Sequence, residues 1–154
     1  MNVVSVDTKP FDNQKPGTGG LRKQTSVFLA PDFLENFIQS AIDVRLADGE
    51  IKTWVVGGDG RYPSRQFLPK IIKILVANGV QKVLVVGRDF VAPTPAISHI
   101  IRKYKADGGF ILSASHNPAG INGDFGVKVE MDNGGQATES FTNALYEQTK
   151  VISS

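Results

Sequence analysis

The feature that most restricts the fold of this chain is an alternation of short apolar runs with longer stripes of helical period. Trp54-Val55-Val56, Val83-Leu84-Val85-Val86 and Phe110-Ile111-Leu112 are apolar throughout, and runs of this length bounded by turn residues read as buried strands. Between them the period changes. Phe33, Leu34, Phe37, Ile38, Ala41 and Ile42 draw one stripe along a helix, as a face packed on a sheet requires. Phe67, Leu68, Ile71, Ile72 and Leu75 form a second stripe, and Ile97, Ile100, Ile101 and Tyr104 a third. Strands and helices in alternation give a sheet covered by helices on both faces. The predicted fold is therefore α/β, a three-layer α/β/α sandwich spanning residues 1–154. The link from the Phe110 strand to a strand around Gly126-Val127-Lys128-Val129 is too short for a helical crossover. The sheet is expected to be mixed and mostly parallel, with that last strand antiparallel.

Local signals set the expected boundaries. Pro31 suits a first helical turn and Asp48-Gly49 a helix end; Ser64 suits an N-cap, and Pro69 a kink or a delayed start. Asn78-Gly79 reads as a stop, and Thr94-Pro95 as N-cap and first helical residue. Val83-Leu84-Val85-Val86 has the composition of a strand covered on both faces, and Thr25-Ser26-Val27-Phe28-Leu29 reads as a further strand. A closing helix is expected over residues 138–151, with Phe141, Leu145 and Gln148 inward. Residues 1–10 have no period and read as an extended arm or a mobile end.

Composition closes several functional classes. Lysine and arginine number 17 against 15 acidic residues, and the cations are dispersed rather than striped with aromatics, which argues against nucleic acid. Cysteine is absent, which excludes a disulfide framework and a thiolate metal site. No apolar run approaches the ~20 residues of a membrane helix, and no signal peptide is visible. A cytoplasmic domain without membrane insertion is expected.

The chemistry concentrates in three polar segments. In residues 108–128 a buried strand runs into a loop carrying Ser115, His116, Asn117 and Pro118, then Gly120, Gly123 and Gly126, with Lys128 just beyond. Loops held at strand ends are where binding and catalytic residues gather. By residue type alone, Ser115 is either a turn-capping serine, a nucleophile or a phosphate carrier. Ser115-His116 does not make a catalytic dyad, because adjacent side chains seldom face each other, and G-x-S-x-G is missing. Strand alternation sets Ser113 on the same side as Ser115; if Ser113 still belongs to the strand, its hydroxyl is packed. In residues 14–24, Thr18, Arg22 and Lys23 are either solvated loop charges or the lining of a phosphate site, since a guanidinium matches phosphate oxygens bidentately. In Gly57-Gly58-Asp59-Gly60-Arg61 the dinucleotide fingerprint is not completed, and no Gly-Lys pair exists for a P-loop. Asp59 and Arg61 either brace neighbouring loops or stand behind the site. His99 has no second histidine at ligand spacing and reads as packed or solvated.

These segments carry a resemblance. Ser113-Ala114-Ser115-His116-Asn117-Pro118 resembles the phosphoserine signature of the α-D-phosphohexomutases, and Asn122-Gly123-Asp124-Phe125-Gly126-Val127-Lys128 is similar to its phosphoglucomutase branch. Lys15-Pro16-Gly17-Thr18-Gly19-Gly20-Leu21-Arg22-Lys23 and Val55-Val56-Gly57-Gly58-Asp59-Gly60-Arg61 agree in the family's order, except that Gly19 stands where the branch usually has serine. The resemblance spans nearly the whole chain but only the first of the family's four domains. It implies that Ser115 carries a phosphoryl group and passes it between glucose 1-phosphate and glucose 6-phosphate through glucose 1,6-bisphosphate. It further implies that Arg22 assists acid–base chemistry and that Lys128 is general base or acid at the sugar hydroxyl. His116 and Asn117 would shape the loop and contact substrate, with His116 sharing in proton transfer. One Mg²⁺ would bind the Ser115 phosphate, its other ligands lying in the remaining mutase domains, so the chain alone is expected to be inactive. The alternative within the same resemblance is a regulatory or binding protein of parafusin or aciculin type, acting in exocytosis or cytoskeletal attachment.

Overall fold

The computed structural model describes residues 2–154. Five strands form one sheet: β1 (Gly20–Gln24), β2 (Thr53–Gly58), β3 (Lys82–Val85), β4 (Gly108–Leu112) and β5 (Asp124–Met131). Their order is β1-β5-β4-β2-β3. β2 is parallel to β3 and to β4, while β5 is antiparallel to β4 and to β1. Four strands therefore point one way and β5 alone runs against them, the mixed and mostly parallel sheet the short β4–β5 link required.

Helices α2 (Phe33–Ala47), α3 (Ser64–Ala77) and α5 (Glu139–Thr149) and the short α1 (Thr25–Phe28) cover one face. Their core meets Trp54, Val56, Phe110, Leu112, Phe125, Val127 and Val129 from the strands. On the other face α4 (Thr94–Tyr104) stands alone over β2 and β4, packing Ile97 and Ile101 on Val55 and Ile111. The three layers are present but unequal.

Several local expectations fail for identifiable reasons. The strand expected at residues 25–29 lies at Gly20–Gln24 instead. The ladder with β5 ends where Gln24 faces Asp124, and the next amide, Thr25 N–H, donates to the Gly123 carbonyl at 2.9 Å. The chain then coils into α1 and drives Phe28 into edge-on contact with Phe33 and Phe125, their ring centroids 5.3 and 5.0 Å away. β3 is an edge strand rather than a doubly covered one, with Val85 43% exposed. Pro31 lies ahead of α2, which begins after Asp32 in a left-handed conformation. Ser64 and Thr94 are first helical residues, one position later than the caps expected of them. Pro69 lies inside α3 without ending it. Tyr104 is half exposed at the end of α4, where Lys105 turns left-handed. Thr138 caps α5 through its hydroxyl, Phe141 and Leu145 are buried, and Gln148 reaches Asp43 at 2.9 Å. Residues 2–10 have no regular element, yet the arm is tied to α2: Thr8 Oγ1 donates to Asn36 Oδ1, and Asn36 Nδ2 donates to the Lys9 carbonyl.

The Phe28 cluster joins α1, α2, α3 and β5 around one fully buried ring. Phe28→Ala should cost about 4 kcal/mol of stability, as an unfilled aromatic cavity does. Urea unfolding of the 154-residue chain measures this, and a loss under 1 kcal/mol would mean the cluster does not hold α1 in place.

Candidate functional site

The loop at the C-terminal end of β4 is built before its side chains are reached. The ladder continues one step past the strand, Ser113 N–H donating to the Gly126 carbonyl at 2.9 Å. A β-carbon on Gly126 would lie 2.5 Å from the Ser113 carbonyl oxygen, so only glycine permits this approach. Ser113 turns inward and is 8% exposed. Its hydroxyl donates to Asp59 Oδ2 at 2.8 Å and accepts the Ser115 amide at 3.0 Å. Ser115 then adopts φ +56° and stands exposed. The left-handed turn breaks strand alternation, so the two serines do opposite things: one is tied down, the other presented.

Arg61 holds this loop from below. Its side chain is 5% exposed and pairs with Asp59, the NH2–Oδ2 distance being 2.9 Å. The same guanidinium donates to the carbonyls of Ser115 at 3.0 Å, Asp124 at 2.8 Å and Asn117 at 3.4 Å. Sequence left Asp59 and Arg61 open between bracing and standing behind the site; in space they brace the serine loop directly. Asn117 adds a further tie, its Nδ2 donating to Asp124 Oδ2.

Arg22 reaches the loop from β1. Its NH2 donates to Ser115 Oγ at 3.3 Å and its NH1 to Asn117 Oδ1 at 3.2 Å, although 93 residues separate Arg22 from Ser115. Directly opposed residues of an antiparallel pair share a face. Arg22 faces Gly126, Gly20 faces Lys128, and Ile111 faces Lys128. Arg22 and Lys128 therefore lie on the α4 face of the sheet, with Lys128 one repeat below the loop. Lys23 alternates to the other face, opposite Phe125. Thr18 lies in the turn that opens β1, bridged from Gly17 to Gly20, at the end away from Ser115. The lining expected of Thr18, Arg22 and Lys23 together is thus divided, and only Arg22 meets the serine. His116 is exposed on the loop beside Ser115, and His99 is exposed on α4. Gly19 has φ +77°, a conformation in which glycine is relaxed and serine strained.

Sequence reasoning passed over Glu130. It is 2% exposed on β5, two residues beyond Lys128 and on the same face. Burial pushes its carboxyl up to about 7, against the opposing pull of the Lys128 charge. The available signal was the spacing K-x-E on a strand, which sets both side chains on one side. The residues at hand do not make a metal site: among the described residues no three acidic or histidine side chains gather suitably. Asp59 and Asp124 are engaged by Arg61, Ser113 and Asn117.

Two outcomes follow from this geometry. Arg61→Met leaves a partly buried Asp59 without its cation and three loop carbonyls without a donor. It should cost about 2 kcal/mol, mainly from the unpaired carbonyls, and weaken the amide-exchange protection of Ser115 and Asn117, whose N–H groups donate to Ser113 Oγ and the Ala114 carbonyl; urea unfolding and hydrogen exchange measure the two. For Glu130, folded protein keeps a proton that unfolded chain releases from pH 4.5 upward. Stability should therefore fall as pH rises from there to about 7, by on the order of 3 kcal/mol in total, and level off above. Glu130→Gln should remove that slope in thermal unfolding across the same window.

The site so described has relatives. The family profile "Phosphoglucomutase/phosphomannomutase, alpha/beta/alpha domain I" matches residues 13–154. A cytoplasmic phosphoglucomutase of Mesembryanthemum crystallinum is 54% identical across 99% of this chain and 27% of its own length. A phosphoglucomutase of Rhizobium radiobacter is 51% identical over 99% of this chain and 28% of its own. The crystal structure of the exocytosis-sensitive phosphoprotein parafusin, a phosphoglucomutase from Paramecium, superposes with TM-score 0.90 at 42% identity, covering 96% of this chain and 27% of that one. The chain thus spans about a quarter of the length of these relatives. Among the described residues no helix is long and apolar enough to cross a membrane. With a profile covering nearly its whole length and the same fold in a solved relative, the chain belongs to the phosphoglucomutase/phosphomannomutase family as its α/β/α domain I.

Proposed function

We propose that this chain is the phosphoserine-bearing domain of a phosphoglucomutase, with Ser115 as the residue that carries phosphate. The observation that carries the reading is the pairing of an exposed hydroxyl on a rigid left-handed turn with the Arg22 guanidinium at 3.3 Å. A phosphoserine is close to dianionic at neutral pH, and a planar guanidinium is the side chain best matched to it.

In the forward direction the phosphorus of phospho-Ser115 is attacked by the 6-hydroxyl of glucose 1-phosphate. The bond to Ser115 Oγ breaks, and glucose 1,6-bisphosphate forms. The bisphosphate turns over, its 1-phosphate returns to Ser115 Oγ, and glucose 6-phosphate leaves. Arg22 steadies charge at the transferring group, Lys128 serves the sugar hydroxyl as general acid or base, and His116 and Asn117 bound the loop around it. Thr18 and Lys23 are set apart from Ser115 in the fold and are assigned no role in this step. Mg²⁺ belongs to the reading as the counter-charge of the phosphoserine, but this chain offers it only that phosphate; its other ligands would come from the rest of the mutase. A cytoplasmic location, stated in the names of plant relatives, goes with the same reading. The regulatory alternative gains nothing separate, because the Paramecium relative named for exocytosis is titled a phosphoglucomutase as well.

The test is made on a full-length mutase carrying this domain. After incubation with glucose 1,6-bisphosphate, peptide mass mapping should find phosphate on Ser115. Ser115→Ala should lose both label and turnover, and Arg22→Ala should lower kcat/KM by about 100-fold. Label persisting on Ser113 in the Ser115→Ala protein, with activity intact, would overturn the assignment. The 154-residue chain alone should not turn over glucose 1-phosphate.

A further inference from the structure

Glu130 is a buried ionisable group that this reaction leaves unused. Its Oε1 is buried with no hydrogen-bond partner among the described residues. A carboxylate in that condition must find a cation or take a proton. The surrounding elements offer few charges. β4 opposes it with Gly109, over which Ile101 of α4 lies. The turn that opens β1 meets β5 through the Gly19 carbonyl, which accepts the Val129 amide, and Gln136 bridges the Glu130 backbone. Asp132 is exposed in the next turn, Arg102 of α4 lies against Gly134, and His99 and Lys103 of α4 are exposed. The charge that bears on Glu130 is Lys128, which shares its face of β5 at a spacing of ~7 Å.

We propose that Glu130 is a positioning residue for Lys128: ionised, it draws the lysine ammonium back along β5, and protonated, it releases that ammonium toward the Ser115 loop. The inference rests on the reading in which Lys128 works at the sugar hydroxyl. It adds that a free lysine there depends on a neutral Glu130. It also implies that an anionic ligand at the loop, by attracting Lys128, leaves Glu130 to take up one proton from solvent. The site would then lose activity as pH rises through the titration of a residue that touches no substrate.

The experiment is a pH titration of the 154-residue chain by carbon NMR with no sugar phosphate present, following Lys128 Cε and Glu130 Cδ. The two signals should share an inflection near pH 7. In Glu130→Gln, the Lys128 signal should lose it. In Lys128→Met, the Glu130 midpoint should move to higher pH, and this variant carries the test if Glu130→Gln does not fold. A Lys128 signal that stays flat through the Glu130 titration, or a Glu130 midpoint unmoved in Lys128→Met, overturns the proposal. In the full-length mutase, Glu130→Gln should flatten the decline of kcat/KM above neutral pH while Ser115 labelling is unchanged; a decline that persists unaltered also counts against it. Failure of Ser115 labelling in the unmodified mutase would instead defeat the mutase reading and leave the NMR result standing.

Discussion

The buried Arg61 guanidinium is the constraint on which the Ser115 loop depends. One planar group neutralises Asp59 and donates to three carbonyls contributed by Ser115, Asn117 and Asp124. Loop carbonyls turned inward away from water would each carry a desolvation cost; here a single charge satisfies them together. Because Asp59 also accepts the Ser113 hydroxyl, the loop after β2 and the loop after β4 are fixed as one body. The exposed Ser115 hydroxyl inherits that rigidity although it takes no part in the network itself. A residue placed in a sparsely populated backbone region needs surroundings that over-determine it, and this network does so for Ser115.

The unequal layering of the sheet explains where the cations are. α4 covers β2 and β4 on its face, while the helices that reach β1 and β5 do so from the opposite face. Arg22 and Lys128 project from the part of the sheet where the second cover runs out. That region can host polar chemistry without burying a helix's apolar stripe. The antiparallel β5 matters for the same reason: it brings Gly126 and Lys128 back beside the loop that the chain has just left, within a link too short for a crossover. Glu130, on the same strand but closed over, marks the boundary between the open part of this face and the core.

Much of this was legible in advance. Apolar runs and helical stripes located β2, β4, β5, α2, α3 and α5, because burial on a sheet forces those two periods and little else produces them. The glycine-rich serine loop and its neighbouring cations were legible too, since residue types needed for close approach and for phosphate are distinctive. Less legible was β1, expected five residues too late. Residues 20–24 are polar and glycine-rich, and become a strand only because β5 supplies a ladder for them. The expected double cover of β3 failed similarly: apolar composition does not reveal which strand ends at a sheet's edge.

The sequence by itself determined the α/β class, the antiparallel return of β5 and the residue types gathered around Ser115, because periodicity, loop length and side-chain chemistry are local properties. Tertiary structure alone decided which of those residues meet. Arg22 touches Ser115 across 93 residues of chain, whereas Lys23, its neighbour, is carried to the opposite face by a half-repeat of strand. Ser113 and Ser115, alike in sequence, were separated into an anchor and a presented hydroxyl by one left-handed residue. Glu130 is pushed up to about 7 only through burial, against the pull of the Lys128 charge. Register, face and desolvation arise from pairing between distant segments, and no local pattern encodes them.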